Sequence, residues 1–130
     1  MKLPPAVMVH GLNDALAALA PGRPVTLLSA PGAAAYAGAG WWMALVAAAA
    51  AGGAAAPDIL DCGAAPGRVL EALRAGQRLL VVRATPCVFA DLAERAESLG
   101  AALLPCPPPA LDLAEPGAAR RLAAWLAGPA

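Results

Sequence analysis

The sequence has little charge and few aromatic side chains. Of its 130 residues, 14% are charged and 4% aromatic, and the chain contains a single Lys, a single Tyr and a single Phe. The nine basic and nine acidic residues cancel and form no run or stripe. The positive surface that binding to nucleic acid requires is therefore missing, and we expect no nucleic-acid partner.

Patterns for metal binding and for disulfides are also lacking. The three cysteines, Cys62, Cys87 and Cys106, are an odd number without a C-x-x-C pair, and His10 is the only histidine. Such a set fits neither a structural zinc site nor a disulfide framework. We expect no metal, no cofactor and a reduced cytoplasmic setting.

Val25–Ala56 has no charged residue, which raises the question of a membrane span. Its helical part, residues 41–51, would rise only about 17 Å, whereas the hydrocarbon core of a bilayer is about 30 Å thick. Gly52 and Gly53 then interrupt it. We therefore predict a helix buried in a soluble domain, with no membrane partner.

Alanine is the most abundant residue. Hydrophobic residues make up 60% of the chain, and 38 of these 78 residues are Ala. Because Ala side chains are small, helices rich in Ala can lie close to a sheet or to one another. The length suits one domain spanning residues 1–130.

Short apolar runs alternate with amphipathic stretches along the chain. We predict strands at Val25–Ser29, Asp58–Cys62, Arg78–Arg83 and Ala101–Pro105, with a fifth at Ala6–His10. Helices should occupy the gaps between them. This alternation is typical of a parallel sheet covered on both faces. The predicted fold is a small doubly wound, flavodoxin-like or Rossmann-like α/β sandwich of three layers, with four to five mainly parallel strands.

Proline and glycine mark the predicted ends of the helices. Pro66 and Thr85-Pro86 should open two helices, with Gly76 ending the first of them, and Pro116 should open the last. The glycine pattern within Ser29–Trp42 indicates a flexible turn, and Cys106–Pro109 indicates a rigid extended loop.

Ligands of such folds bind beyond the carboxyl ends of the strands, where helix N-termini suit an anion. That rule selects six residues as candidates to hold a small anionic ligand: Ser29, Gly63, Gly67, Arg68, Arg83 and Thr85. Our leading hypothesis is a non-enzymatic binding or interaction module.

Cys62 and Arg68 form a C-x5-R pair between a predicted strand and a predicted helix. Together with Ala64 and Gly67, they resemble the phosphate-binding loop C-x-A-G-x-G-R of cysteine-dependent protein phosphatases. This resemblance implies an alternative, an enzyme in which the Cys62 thiolate attacks a phosphoryl group held by Arg68. The chain departs from the family pattern at Asp61, whose charge would raise the pKa of the thiol.

The same stretch, Leu60–Gly67, also resembles the first motif of class I S-adenosylmethionine-dependent methyltransferases. In that family a strand ending in an acidic residue leads into a glycine loop of G-A-A-P-G type. The resemblance implies a further alternative, a truncated S-adenosylmethionine-binding relative. The next strand should then end in a second acidic residue, but Arg83 and Thr85 stand there.

Trp41 and Trp42 are adjacent on a predicted helix. Side chains of successive helical residues point about 100° apart, so both cannot face one core. We predict that one packs on the sheet, and we take both as candidates for a subunit interface, where Trp is enriched. The homodimer is a further expectation.

Overall fold

The computed structural model describes residues 2–53 and 55–128. This part of the chain contains six strands and six helices. The strands are β1 (Ala6–Val9), β2 (Thr26–Ser29), β3 (Asp58–Asp61), β4 (Leu79–Val81), β5 (Ala102–Leu104) and β6 (Ala110–Asp112). The helices are α1 (Leu12–Leu19), α2 (Ala33–Tyr36), α3 (Ala39–Ala50), α4 (Pro66–Ala75), α5 (Pro86–Ser98) and α6 (Ala118–Ala127).

The strands form one sheet in the order β5-β4-β3-β2-β1-β6. Every neighbouring pair is parallel; Val7, for example, lies beside Leu27 of β2 on one side and Leu111 of β6 on the other. The order reverses at β1, since β2 to β5 extend to one side of it and β6 lies on the other. The predicted α/β fold with a doubly wound parallel sheet is confirmed, with six strands instead of four or five.

One face of the sheet carries the larger hydrophobic cluster, to which all six helices contribute. Strand residues such as Val7, Leu27 and Leu80 meet helix residues such as Ala15 and Val69 there. Strands β1 to β5 follow one another in a single direction. Right-handed crossovers therefore bring the connecting helices to the same face. The many buried Ala residues let these helices pack closely on the sheet.

The opposite face carries a smaller cluster built on Leu28, Ile59 and Val81, all fully buried. Leu3 and residues at both ends of the link 105–109 pack against it. That link covers six Cα steps, at most about 22 Å. In a flat sheet the two strands it joins would lie about 24 Å apart across five strand spacings. The twist and curvature of the sheet must therefore bring its two edges closer together than they would lie in a flat sheet.

The predicted helix ends are mostly confirmed. Pro66 is the first residue of α4 and Gly76 its C-cap, and Thr85 is the N-cap of α5. The last helix is an exception, because it begins at Ala118 and not at Pro116. Its N-cap, Gly117, has a φ of 77°, a left-handed conformation that turns the chain before the helix starts.

Two short elements lie where the sequence predicted none. The glycine-rich segment predicted as a flexible turn includes the four-residue helix α2, whose single turn is too short to give a helical periodicity. Strand β6 follows the proline run predicted to be an extended loop, and its three residues are too few to show a strand pattern. Both elements are too short to produce a periodic pattern, so the sequence could not predict them.

None of the helices in the described residues combines the length and the apolar character needed to cross a bilayer.

Candidate functional site

The Asp61 carboxylate lies at the carboxyl end of β3 and is almost fully buried. Its Oδ1 accepts hydrogen bonds from the backbone N–H of Gly63 at 2.7 Å and from that of Gly32 at 3.2 Å. These are amides of the kind that would cradle an external anion at the ends of parallel strands. In this protein the chain supplies its own anion there.

Ser29 and Gly63 complete this internal arrangement. The Ser29 hydroxyl is buried, accepts a hydrogen bond from the N–H of Asp61 at 2.9 Å and donates to the carbonyl of Ala30 at 3.2 Å. A Cβ on Gly63 would lie 3.3 Å from the Cα of Gly32, so the loops after β2 and β3 are in close contact. Two of the six predicted ligand residues therefore hold the two loops together.

Cys62 and Arg68 lie in different environments. The Cys62 side chain belongs to the larger hydrophobic cluster and is fully buried. Burial raises the pKa of its thiol to about 12, and the Asp61 charge adds to the rise. Arg68 lies on the exposed side of α4, near the predicted candidate Gly67, and donates to Glu71 at 3.0 Å. A thiol in this environment stays protonated at neutral pH, whereas nucleophilic attack requires the thiolate.

Of the remaining candidates, Arg83 lines a cleft of about 420 Å³, and Thr85 is the N-cap of α5, next to the lining residues Ala84 and Pro86. The cleft opens at the carboxyl ends of β4 and β5 and is lined by Val82, Arg83, Ala84, Pro86, Phe89 and Pro105. Arg83 is exposed and makes no ion pair with any residue that the structure describes. Its backbone N–H donates to the carbonyl of Gly63 at 2.7 Å. This bond fixes Arg83 next to the loop after β3.

Helix α5 begins at the same cleft. Its N-cap Thr85 makes no side-chain capping bond, and Pro86 follows as the first helical residue. The N–H groups of Cys87 and Val88 precede the first intrahelical bond, which Phe89 donates to Thr85 at 2.8 Å. A positive side chain and the positive end of a helix dipole therefore meet at one mostly apolar cleft.

A second polar group lies where the strand order reverses, and sequence reasoning did not select it. His10 follows β1 and Asp112 ends β6, and the His10 Nε2 is 2.6 Å from the Asp112 Oδ1. Burial by itself would raise the pKa of Asp112, but hydrogen bonds from His10 and from the N–H of Ala114 lower it below its usual value. The two residues are 102 positions apart, and β6 was not predicted, so nothing in the sequence pairs them.

The two adjacent Trp side chains divide as their helical spacing predicts. Trp42 is fully buried, and its indole N–H donates to Asp58 at 2.9 Å, an oxygen that also accepts from Gln77 at 2.8 Å. Trp41 is 38% exposed. The buried Trp42 has no surface to offer another subunit, so the interface prediction now rests on Trp41.

Within residues 2–53 and 55–128, no three His, Cys, Asp or Glu side chains are grouped in a way that could hold a metal ion. In comparisons with known proteins, neither a family model nor a curated protein matches the chain.

Proposed function

We propose that the protein is a binding module that holds a small anionic ligand in the cleft at the carboxyl ends of β4 and β5. The observation that carries this proposal is the exposed Arg83 guanidinium, free of ion pairs with the described residues, beside the N-terminus of α5. Guanidinium groups bind carboxylates and phosphates in a bidentate manner, and helix N-termini add hydrogen-bond donors.

The residues that line the cleft indicate which class of ligand it would hold. Apart from Arg83, its lining side chains are apolar, with Phe89 the largest. The volume of about 420 Å³ lies in the range of ligand pockets. A ligand with one carboxylate or phosphate and a compact apolar body fits both features.

Binding of benzoate and phenyl phosphate tests the proposal, with benzyl alcohol as a neutral control. Amide chemical shifts of isotopically labelled protein should move at residues 83–89 with both anions and not with the alcohol. Arg83→Gln should weaken binding about tenfold or more, the loss of roughly 1.4 kcal/mol expected for a charge-assisted hydrogen bond.

Arg78→Gln is the matched control, since Arg78 precedes β4 at its amino end and is also exposed. Both variants change the net charge equally, so nonspecific attraction of the anion falls by the same amount. If Arg83→Gln and Arg78→Gln bind the anions equally well, the cleft is not the site.

The homodimer is also a proposal, and the partial exposure of Trp41 supports it. The three cysteines are free thiols, which supports our proposal of a reducing, cytoplasmic setting.

A further inference from the structure

The exposed side of α1 and α3 differs from that of the other long helices. With their C-terminal caps Ala20 and Ala51, these two helices expose eleven residues, which we call the α1–α3 surface. Six of them are Ala, and the others are Leu12, Leu16, Trp41, Gly40 and Asn13. None of the eleven carries a charge. By contrast, α4, α5 and α6 together expose nine charged side chains.

The large apolar side chains of this surface are open to solvent. Leu12 is 41% exposed, Leu16 44% and Trp41 38%. Helices α1 and α3 pack side by side on the sheet, so their exposed faces adjoin. The charged residue within α1, Asp14, is partly buried and accepts a hydrogen bond from the N–H of His10 at 2.9 Å. It therefore does not interrupt the apolar area.

We infer that the α1–α3 surface is a self-association site, at which two copies of this chain pack against each other around a two-fold axis. This inference rests on the proposed homodimer and assigns it a face. A charge-free face is best matched by another charge-free face, because a charged partner group would lose its hydration without gaining an opposite charge. Each copy supplies one such face, and two-fold symmetry pairs it with itself.

The composition of the surface allows close contact between copies. Gly40, Ala44, Ala47 and Ala48 are exposed on α3, so the backbones of two α3 helices can approach closely. Trp41 and the two Leu side chains then supply the larger contact area. Eleven residues correspond to about 400 Å² per copy, or roughly 800 Å² for the pair, which is the weak class of interface. We therefore expect a dissociation constant of about 10 µM to 1 mM.

Sedimentation of the intact chain over about 10 µM to 1 mM tests the inference. The wild-type mass should rise from 12.8 kDa toward twice that value. Ala44→Glu and Ala47→Glu each place a charge in the centre of the surface and should keep the protein monomeric throughout. Ala90→Glu is the matched control, since Ala90 is exposed on α5, and it should associate as the wild type does. Far-UV circular dichroism verifies that every variant is folded.

The outcomes separate the two proposals. A wild-type protein that stays monomeric up to about 1 mM overturns both the homodimer and its assignment to this face. If the wild type and both α3 variants dimerise equally, the homodimer stands and the α1–α3 surface is excluded. Association through the charged faces of α4 to α6 would weaken in added sodium chloride, whereas association through the α1–α3 surface should persist.

Discussion

Asp61 offers the sharpest test of how the candidate site is built. Replacing it by Ala removes the acceptor for two backbone N–H groups, those of Gly63 at 2.7 Å and of Gly32 at 3.2 Å. A hydrogen bond to a charged acceptor contributes about 1.5–3 kcal/mol, and the longer of the two bonds should lie at the low end. We expect Asp61→Ala to lower the free energy of unfolding by about 3–4 kcal/mol, out of about 5–15 kcal/mol for a domain of this size.

Urea denaturation followed by Trp fluorescence measures this loss. Asp61→Asn keeps an acceptor oxygen without the charge, so about half the loss is expected. Asp91→Ala is the matched control, because Asp91 is exposed and forms an ion pair with Arg95 one turn away. Its replacement should lower the free energy of unfolding by less than about 0.5 kcal/mol. If Asp61→Ala and Asp91→Ala differ by less than about 0.5 kcal/mol, the carboxylate does not hold the two loops together.

Formate provides an independent readout of the same idea. In Asp61→Ala the two amides and the space of the lost carboxyl group remain, and formate has the size and charge to replace it. At about 100 mM, formate with a dissociation constant of about 50 mM would restore roughly 0.6 kcal/mol. The wild type, whose amides are occupied, should gain less. Equal effects of formate on the two proteins would refute the view of Asp61 as an internal anion.

Three further predictions follow from the same structure. In iodoacetamide pulses read by mass spectrometry, exposed Cys87 should react at neutral pH. Buried Cys62, whose thiol pKa is raised to about 12, should stay unmodified until the chain unfolds, because the thiolate is the reactive form. Equal rates at the two cysteines would contradict this. The pKa of Asp112 lies below its ordinary value of 3.8, so this residue adds stability above that pH and loses it as the pH falls through the folded pKa. His10→Ala should thus lower the free energy of unfolding, measured by urea denaturation, by up to about 1 kcal/mol at about pH 5 and by less at about pH 3. The same loss at both pH values would argue against the His10–Asp112 pair. Gly63→Ala should cost about 1–3 kcal/mol, since φ is +57° and the new Cβ would meet Gly32. Gly67→Ala, in the first turn of α4, should add up to about 0.5 kcal/mol, less than the same change in a helix interior. The reverse order in chemical denaturation would refute this account.

The candidate site was only partly predictable. Sequence reasoning selected Arg83 and Thr85 because they follow a strand; Arg83 lines a cleft, and Thr85 is the N-cap of the helix that begins beside it. The same rule selected Ser29 and Gly63, but both are already hydrogen-bonded to Asp61. The Ser29 hydroxyl accepts from the Asp61 N–H, and the Gly63 N–H donates to the Asp61 carboxylate. A strand-end rule gives the position of a residue along the chain. It cannot show whether that residue's hydrogen-bonding groups are already occupied by the chain itself.

The sequence by itself determined the alternation of strands and helices, because apolar periodicity and the punctuation by Pro and Gly are local properties of the chain. It also determined that the core would be built with small side chains, since Ala makes up about half of the hydrophobic residues. Local patterns determine which face of each element is apolar, and burial of those faces stabilises the packing of helices on the sheet.

Only the tertiary structure decided which distant groups meet. The placement of β6 beside β1 brings His10 to Asp112, and the contact of two loops brings the amide of Gly32 to Asp61. It also decided that α1 and α3 lie side by side and leave an uncharged surface open. These pairings depend on strand order and on the path of the chain over the sheet, which the local free energies of the individual segments do not specify.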